Sequence, residues 1–207
     1  LPFIETTHIY FNEWQVRNRS ASRLIHYLEN KNKPLVILEV GCGNGWLSGR
    51  LAALKNSTVT GIDINKAELN QARRVFSGMP NLYFAEGDLK SIAFENRFDT
   101  VIFAASIQYF PVLDQVIGEA LSFLNKTGEI HILDSHFYHF KDLEDAKQRS
   151  QLYYRSIGYA EMAAFYFHHS LESLGSFNYK LLFNPFSLKN RVFSKNDPFP
   201  WLSISAT

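Results

Sequence analysis

The chain has 207 residues, of which 46% are hydrophobic and 20% charged, and its net charge is +1. That composition suits a folded globular protein and not a disordered one, and the near-zero charge offers no electrostatic footprint for a nucleic-acid backbone. A single cysteine, Cys42, rules out an internal disulfide framework and a cysteine-built zinc site.

The first predicted element is an amphipathic helix over residues 11–28, with Trp14, Val16, Leu24, Ile25 and Leu28 as apolar anchors. Strand and helix signals then alternate. Residues 35–40 form an apolar strand, and 46–55 a helix. Residues 58–64, rich in β-branched side chains, form a second strand. A helix over 66–76 closes at Gly78 and Pro80. Short strand 82–85 follows, then 98–104, a nearly continuous apolar run of the kind covered on both faces. Helix 112–124 and strand 129–133 complete the alternation. Repeated βα units imply a parallel sheet with right-handed crossovers and helices on both faces. Residues 141–174 read as helical, with a break near Gly158. Strand-like segments 177–183 and 200–205 have no helix between them and should pair antiparallel. The expected fold is therefore α/β: a three-layer, doubly wound, mostly parallel seven-stranded sheet with a terminal antiparallel pair and an extra N-terminal helix. Residues 1–207 read as one domain. Within it, 1–30 form an N-terminal helix or lid, and the aromatic-rich 135–176 segment suits a substrate cover.

Between the first strand and its helix lies Gly41-Cys42-Gly43-Asn44-Gly45. Glycines are needed where the backbone takes positive φ or a ligand comes close, because a Cβ would clash. The helix that follows points free N–H groups and its positive dipole end at the same spot. Three ligands suit such a loop. A phosphate loop needs a lysine and a hydroxyl residue after its last glycine, and Trp46-Leu47 stand there instead. A dinucleotide loop wants a third glycine where Trp46 stands, although Gly49 keeps that reading open. The third ligand is S-adenosylmethionine. An acid at the end of the second strand, Asp63, suits a ribose diol in either of the last two cases. Asp63 or Asn65 can also cap the next helix, and Asp88 can serve as a turn residue.

The run Glu39-Val40-Gly41-Cys42-Gly43-Asn44-Gly45 resembles the first motif of the class I S-adenosylmethionine-dependent methyltransferases, acidic–apolar–Gly-x-Gly-x-Gly. Asp63 closing the second strand, Glu86-Gly87-Asp88-Leu89 after the third, Phe98–Ile102 with the loop 104–110, and Leu124–Glu129 before the fifth strand match further motifs in order. The resemblance spans residues 35–134 and the terminal strand pair. It implies S-adenosylmethionine as cofactor and methyl transfer by in-line displacement. It also implies cofactor contacts from Glu39, Gly41, Cys42, Gly43, Gly45, Trp46, Asp63, Ile64, Asp88, Leu89 and Ala104. Glu39 would be costly at a buried strand end unless a ligand ammonium or a backbone N–H offset its burial.

The acceptor side is written less plainly. Ser106, Gln108 and Tyr109 occupy the family's substrate-facing loop, and Tyr10 and Trp14 are candidates for an aromatic lid, since ring faces attract a sulfonium. His136, after the fifth strand, is the candidate general base. His168, His169 and Glu172 form no recognised ligand pattern, and no metal is expected. Ala104-Ala105-Ser106-Ile107 departs from the Asn/Asp-Pro-Pro-aromatic sequence of the amino-methylating nucleic-acid and protein branch. The expected acceptor is a small molecule. The alternatives are a protein or RNA methyltransferase, or a cofactor-binding module without turnover. No apolar run reaches the roughly 20 residues that span a bilayer, and no secretory signal is visible, so no membrane partner and a cytoplasmic location are expected. The chain opens at Leu1, not Met, so an upstream segment is expected to have been removed or omitted.

Overall fold

The computed structural model describes residues 5–94, 97–188, 190 and 197–205. Residues 1–4, the head of the expected N-terminal unit, lie outside them. In chain order the α-helices and β-strands are α1 (Phe11–Glu29), β1 (Leu35–Val40), α2 (Trp46–Ala52), β2 (Ser57–Asp63), α3 (Lys66–Val75), β3 (Leu82–Glu86), β4 (Phe98–Ala104), α4 (Leu113–Ser122), β5 (Leu124–Leu133), β6 (Phe137–Tyr138), α5 (Leu143–Ser156), β7 (His169–Ser170), β8 (Tyr179–Phe183) and β9 (Trp201–Ser205).

The main sheet has the order β3-β2-β1-β4-β5-β9-β8. Its first five strands are parallel, and β9 pairs antiparallel with both β5 and β8. The sheet is thus the expected one. Its strand order reverses between β1 and β4, the switch point where open α/β sheets bind ligands beyond the carboxyl ends of their strands. The apolar run of β1 is explained by burial on both faces: Leu38 and Val40 join one core cluster, Leu35 and Ile37 the other. The first cluster packs α4 on one face through Leu113, Val116, Ile117 and Ala120. The second packs α1 and α2 on the opposite face through Leu24, Leu28, Leu47 and Leu51. Leu24 is fully buried and Leu28 nearly so. Each such side chain contributes about 2 kcal/mol relative to exposure.

Polar contacts also fix α1. Asp197, before β9, is buried and accepts from Arg19 and Arg23, each at 2.6 Å. The Arg23 guanidinium lies over the Phe183 ring, 4.2 Å from its centre. Tyr27 and Lys31 both donate to Glu129 of β5, at 3.0 and 2.8 Å. Beneath them the Trp201 indole donates to His131 Nδ1 at 3.2 Å. An indole nitrogen only donates, so the His131 proton sits on Nε2, which faces Glu129 at 3.3 Å. Burial holds the His131 pKa below its ordinary value. The proximity of His131, joined by Lys31, holds the Glu129 carboxyl down at about 2.

The segment 141–174 departs from its helical expectation. The helix α5 stops at Ser156, and Ala146 is its buried residue. Residues 160–165 then form 3-10 turns. His169 and Ser170, expected in a helix, form β7 and pair in parallel with β6. Long-range hydrogen bonds override the local pattern: Phe167 N donates to Gln108 O at 2.7 Å, and Leu171 N to Tyr138 O at 3.0 Å. Elsewhere the boundaries shift by a few residues. The largest change is in β5, which begins at Leu124 because that residue already pairs with Phe98 ahead of a bulge. Among the described residues no helix is long and apolar enough to cross a membrane. The substitution Asp197→Ala should lower unfolding stability in urea by about 1–2 kcal/mol, the arginines being partly exposed. An unchanged midpoint would contradict its role as the anchor of α1.

Candidate functional site

The loop after β1 is hydrogen-bonded to the end of β2. Gly41 N and Cys42 N both donate to Ile62 O, at 2.8 and 3.0 Å. Gly43 N donates to Asp63 Oδ2 at 2.8 Å, while Asp63 Oδ1 accepts from Asn65 N at 2.8 Å. Two glycines are dictated by space. Gly41 has φ 73°, and a Cβ there would lie 2.6 Å from Ser106 Cβ. Gly45 has φ 75° and caps α2, and a Cβ there would lie 2.6 Å from the Phe84 ring. The Ser106 hydroxyl donates to Val40 O at 2.6 Å and stitches the ends of β4 and β1 together.

Above this stitch opens a cavity of about 410 Å3. That size lies within the range of small-molecule sites. Its wall takes Gly41 from the loop, Asp63 and Ile64 from the end of β2, Asp88 and Leu89 from the end of β3, and Ser106 and Tyr109 from the end of β4. These seven were expected from sequence. Ala105, Phe110, Pro111, Lys90 and Glu119 were not. Ala105 stands between two expected residues, so its place was one register step from legible. Glu119 comes from α4, and no local pattern points to it. Ala105 and Asp134 both have φ 54°, which turns the chain sharply at the ends of β4 and β5. Such strained backbone is characteristic of functional edges.

Several expected contacts are placed elsewhere. Glu39 is 2% exposed and does not line the cavity. Its partner is the Ser48 hydroxyl of α2, not a ligand ammonium. Burial pushes its pKa up to about 8; the Ser48 hydrogen bonds oppose the rise and the Asp63 charge adds to it. Cys42 is buried, with its sulfur against Gly61 of β2, and burial pushes the thiol pKa up. Gly43, Gly45 and Ala104 shape the loop and strand behind the wall without lining it. Trp46 packs edge-on against Trp14 of α1, ring centres 5.4 Å apart, and neither lines the cavity. Tyr10 is 54% exposed. Gln108 is consumed by the fold, donating to Ala105 O and accepting from the Ser135 hydroxyl, each at 2.7 Å. His136 lies outside the cavity wall. The turn at Asp134 sends Ser135 inward and His136 outward, against the Phe199 ring at 4.6 Å. Partial burial of the ring, aided by the Arg149 charge, lowers its pKa.

The two carboxylates at the wall differ. Asn65, not Asp63, caps α3, accepting from Ala67 N and Glu68 N. Asp63 has one hydrogen bond to each oxygen, and a carboxylate oxygen has two lone pairs, so each oxygen retains one for a ligand. Asp88 Oδ1 accepts from Lys90 N and Ser91 N, as a turn residue does, and the Ser91 bonds lower its pKa. Among the described residues no group of three His, Cys, Asp or Glu side chains is placed to hold a metal ion.

A family model for a methyltransferase domain matches residues 31–183. The chain belongs to the class I S-adenosylmethionine-dependent methyltransferases. The cofactor of that family is S-adenosylmethionine, as the sequence motifs imply. The methyltransferase chain is 27% identical over 136 residues to a malonyl-[acyl-carrier protein] O-methyltransferase of Halalkalibacterium halodurans, which covers 61% of this chain and 50% of the relative. It spans about half the length of the curated relatives it matches. The fold is similar to that of magnesium protoporphyrin IX methyltransferase from Synechocystis with bound S-adenosylhomocysteine: TM-score 0.66, 16% identity, 99% of this chain and 90% of the other. It is also similar to a plantazolicin methyltransferase in complex with a pentazolic desmethylPZN analogue and S-adenosylhomocysteine, with TM-score 0.62, 14% identity, and 96% and 86% covered.

The cavity fits the family's cofactor on its own chemistry. Its volume, the Cβ-free approach at Gly41 and the spare lone pairs of Asp63 suit a nucleoside with a diol. The Glu39 pKa also has a consequence for stability. A carboxyl whose folded pKa is raised stabilises most while neutral, below its unfolded value near 4.5, and loses that contribution as pH rises toward about 8. The substitution Glu39→Gln should therefore leave thermal stability unchanged at pH 4 and raise it at pH 8, by on the order of 2–4 kcal/mol. Equal effects at both values, read by calorimetric unfolding, would contradict the buried-carboxyl assignment.

Proposed function

We propose that this domain transfers a methyl group from S-adenosylmethionine to a small-molecule acceptor. The observation that carries the reading is the cavity at the β1/β4 switch point, with Gly41, Asp63 and the Asp88-Leu89 pair on its wall. When bound, the cofactor supplies an activated methyl group on a sulfonium. What the protein adds is orientation and exclusion of water.

Asp63 would accept hydrogen bonds from the ribose hydroxyls with its remaining lone pairs. Asp88 and the backbone N–H of Leu89 would hold the adenine, and Gly41, lacking a Cβ, would leave room for the methionine portion. The described wall of the cavity holds no histidine. We set His136 aside as general base because its ring is turned outward against Phe199, and favour an oxygen nucleophile that arrives ionised or gives its proton to a wall carboxylate or to solvent. Residues 135–176 act as the acceptor's cover, through the tie from Phe167 N to Gln108 O. The net charge of +1 argues against a nucleic-acid acceptor, and the size of the cavity suits small molecules. The relatives named above carry malonyl-[acyl-carrier protein] and magnesium protoporphyrin IX in their names.

Incubation of a cell lysate with the protein and methyl-labelled S-adenosylmethionine should place label in the small-molecule fraction. Asp63→Ala should reduce that transfer at least tenfold, the loss of a charge-assisted hydrogen bond being worth roughly 1.5–3 kcal/mol. Label confined to protein or RNA, or full transfer by Asp63→Ala, would overturn the reading.

A further inference from the structure

Beside the donor cavity lies a second cleft of about 730 Å3, between α5 and the turns at 160–165. Pro111 belongs to the walls of both. Tyr109 of the first packs edge-on against Tyr166 of the second, ring centres 6.1 Å apart. The two spaces are therefore neighbours, separated by a proline and a pair of tyrosine rings. The outer wall is fastened in place. Phe167 N is bonded to Gln108 O, and the Ser150 hydroxyl meets His168 Nε2 at 2.9 Å, joining α5 to the far side.

The lining is of two kinds. Ala160, Ala163 and the rings of Tyr166 and Phe167 offer an apolar surface. Opposite them, Lys147, Gln151 and Arg155 occupy one stripe of α5 at four-residue spacing. Lys147 and Arg155 make no salt bridge among the described residues. Glu144 lines the same cleft one turn from Lys147, leaving an excess of one positive charge among the charged lining side chains, His168 taken as neutral. An arginine fork and a lysine point charge both suit a carboxylate or a phosphate, and an apolar wall opposite suits the body that carries it.

We propose that this cleft holds the distal, acidic end of the acceptor, anchored by Lys147 and Arg155, while the reacting end of the same molecule reaches past Pro111 into the donor cavity. The assignment rests on the donor-site reading above. It uses two cations that line the cleft without salt-bridge partners among the described residues, and Pro111, common to both walls, marks where the acceptor passes from one space to the other.

The test uses the fluorescent dye anilinonaphthalene sulfonate, an aromatic body with an acid group, displaced by naphthoate, naphthyl phosphate or the neutral naphthamide. On the wild-type protein the two acids should displace the dye at roughly tenfold lower concentration than the amide, two exposed charge pairs being lost with the amide. Whichever acid binds tighter names the anchored group. The double variant K147Q/R155Q should erase the preference and keep calorimetric affinity for S-adenosylhomocysteine unchanged. The control K126Q/K180Q, on exposed positions elsewhere, should keep it. Both α5 side chains are exposed, and circular dichroism verifies the fold. Intact S-adenosylhomocysteine binding with no acid preference, or with a preference that survives K147Q/R155Q, would overturn the acceptor assignment alone. Failure of the wild-type protein to bind S-adenosylhomocysteine would overturn the donor reading, and this assignment with it.

Discussion

The ends of β1 and β4 approach until the Ser106 hydroxyl reaches Val40 O at 2.6 Å, with Gly41 packed against the Ser106 Cβ. Only a residue without a Cβ, in a left-handed conformation, fits that gap. The parallel strands on either side of the switch point diverge in topology, and their ends must still be held together to floor a cavity. The donations from Gly41, Cys42 and Gly43 to Ile62 O and Asp63 tie the same loop to β2. The wall of the cavity is thus a set of strand ends cross-linked through one loop. Its polar groups are largely satisfied by protein, so what Asp63 offers a ligand is its remaining lone pairs.

This arrangement explains why one carboxylate faces the cavity and another does not. Glu39 and Asp63 both lie on the strands that flank the loop. Glu39 points down into the core, where Ser48 satisfies it and burial favours its neutral form. Asp63 stands at the strand end, braced by two backbone N–H groups. The same division recurs after β5, where Asp134 is buried against the Ser20 hydroxyl of α1 at 2.6 Å and burial raises its pKa to about 6. The helix α1 is therefore joined to the carboxyl edge of the sheet at Asp134, and to β5 and the segment leading into β9 through Glu129 and Asp197.

The mostly parallel sheet, the glycine loop and the acid closing β2 were legible because they rest on short-range signals: apolar runs, alternate glycines and a carboxylate at a strand end. The antiparallel pair was legible from two strands lacking a helix between them. What could not be read are contacts between distant segments. Ser48 as the partner of Glu39, Glu119 on the cavity wall and the consumption of Gln108 by Ala105 and Ser135 leave no local trace. Residues 160–170 carried enough apolar spacing to suggest a helix. Their backbone groups are claimed instead by Gln108, and by Phe137 and Tyr138 through the β6–β7 pairing, which no periodicity announces. His136 was sequence-adjacent to the site, but one positive-φ residue before it reverses which side chain faces in.

The central claim is that strand ends linked through Gly41 hold a nucleoside with a sulfonium side chain and not a dinucleotide. Titration calorimetry of the wild-type protein with S-adenosylhomocysteine and, separately, with NAD tests it most directly. The account predicts saturable heat at a one-to-one ratio with S-adenosylhomocysteine and none with NAD. Saturable binding of NAD with no heat from S-adenosylhomocysteine would contradict it.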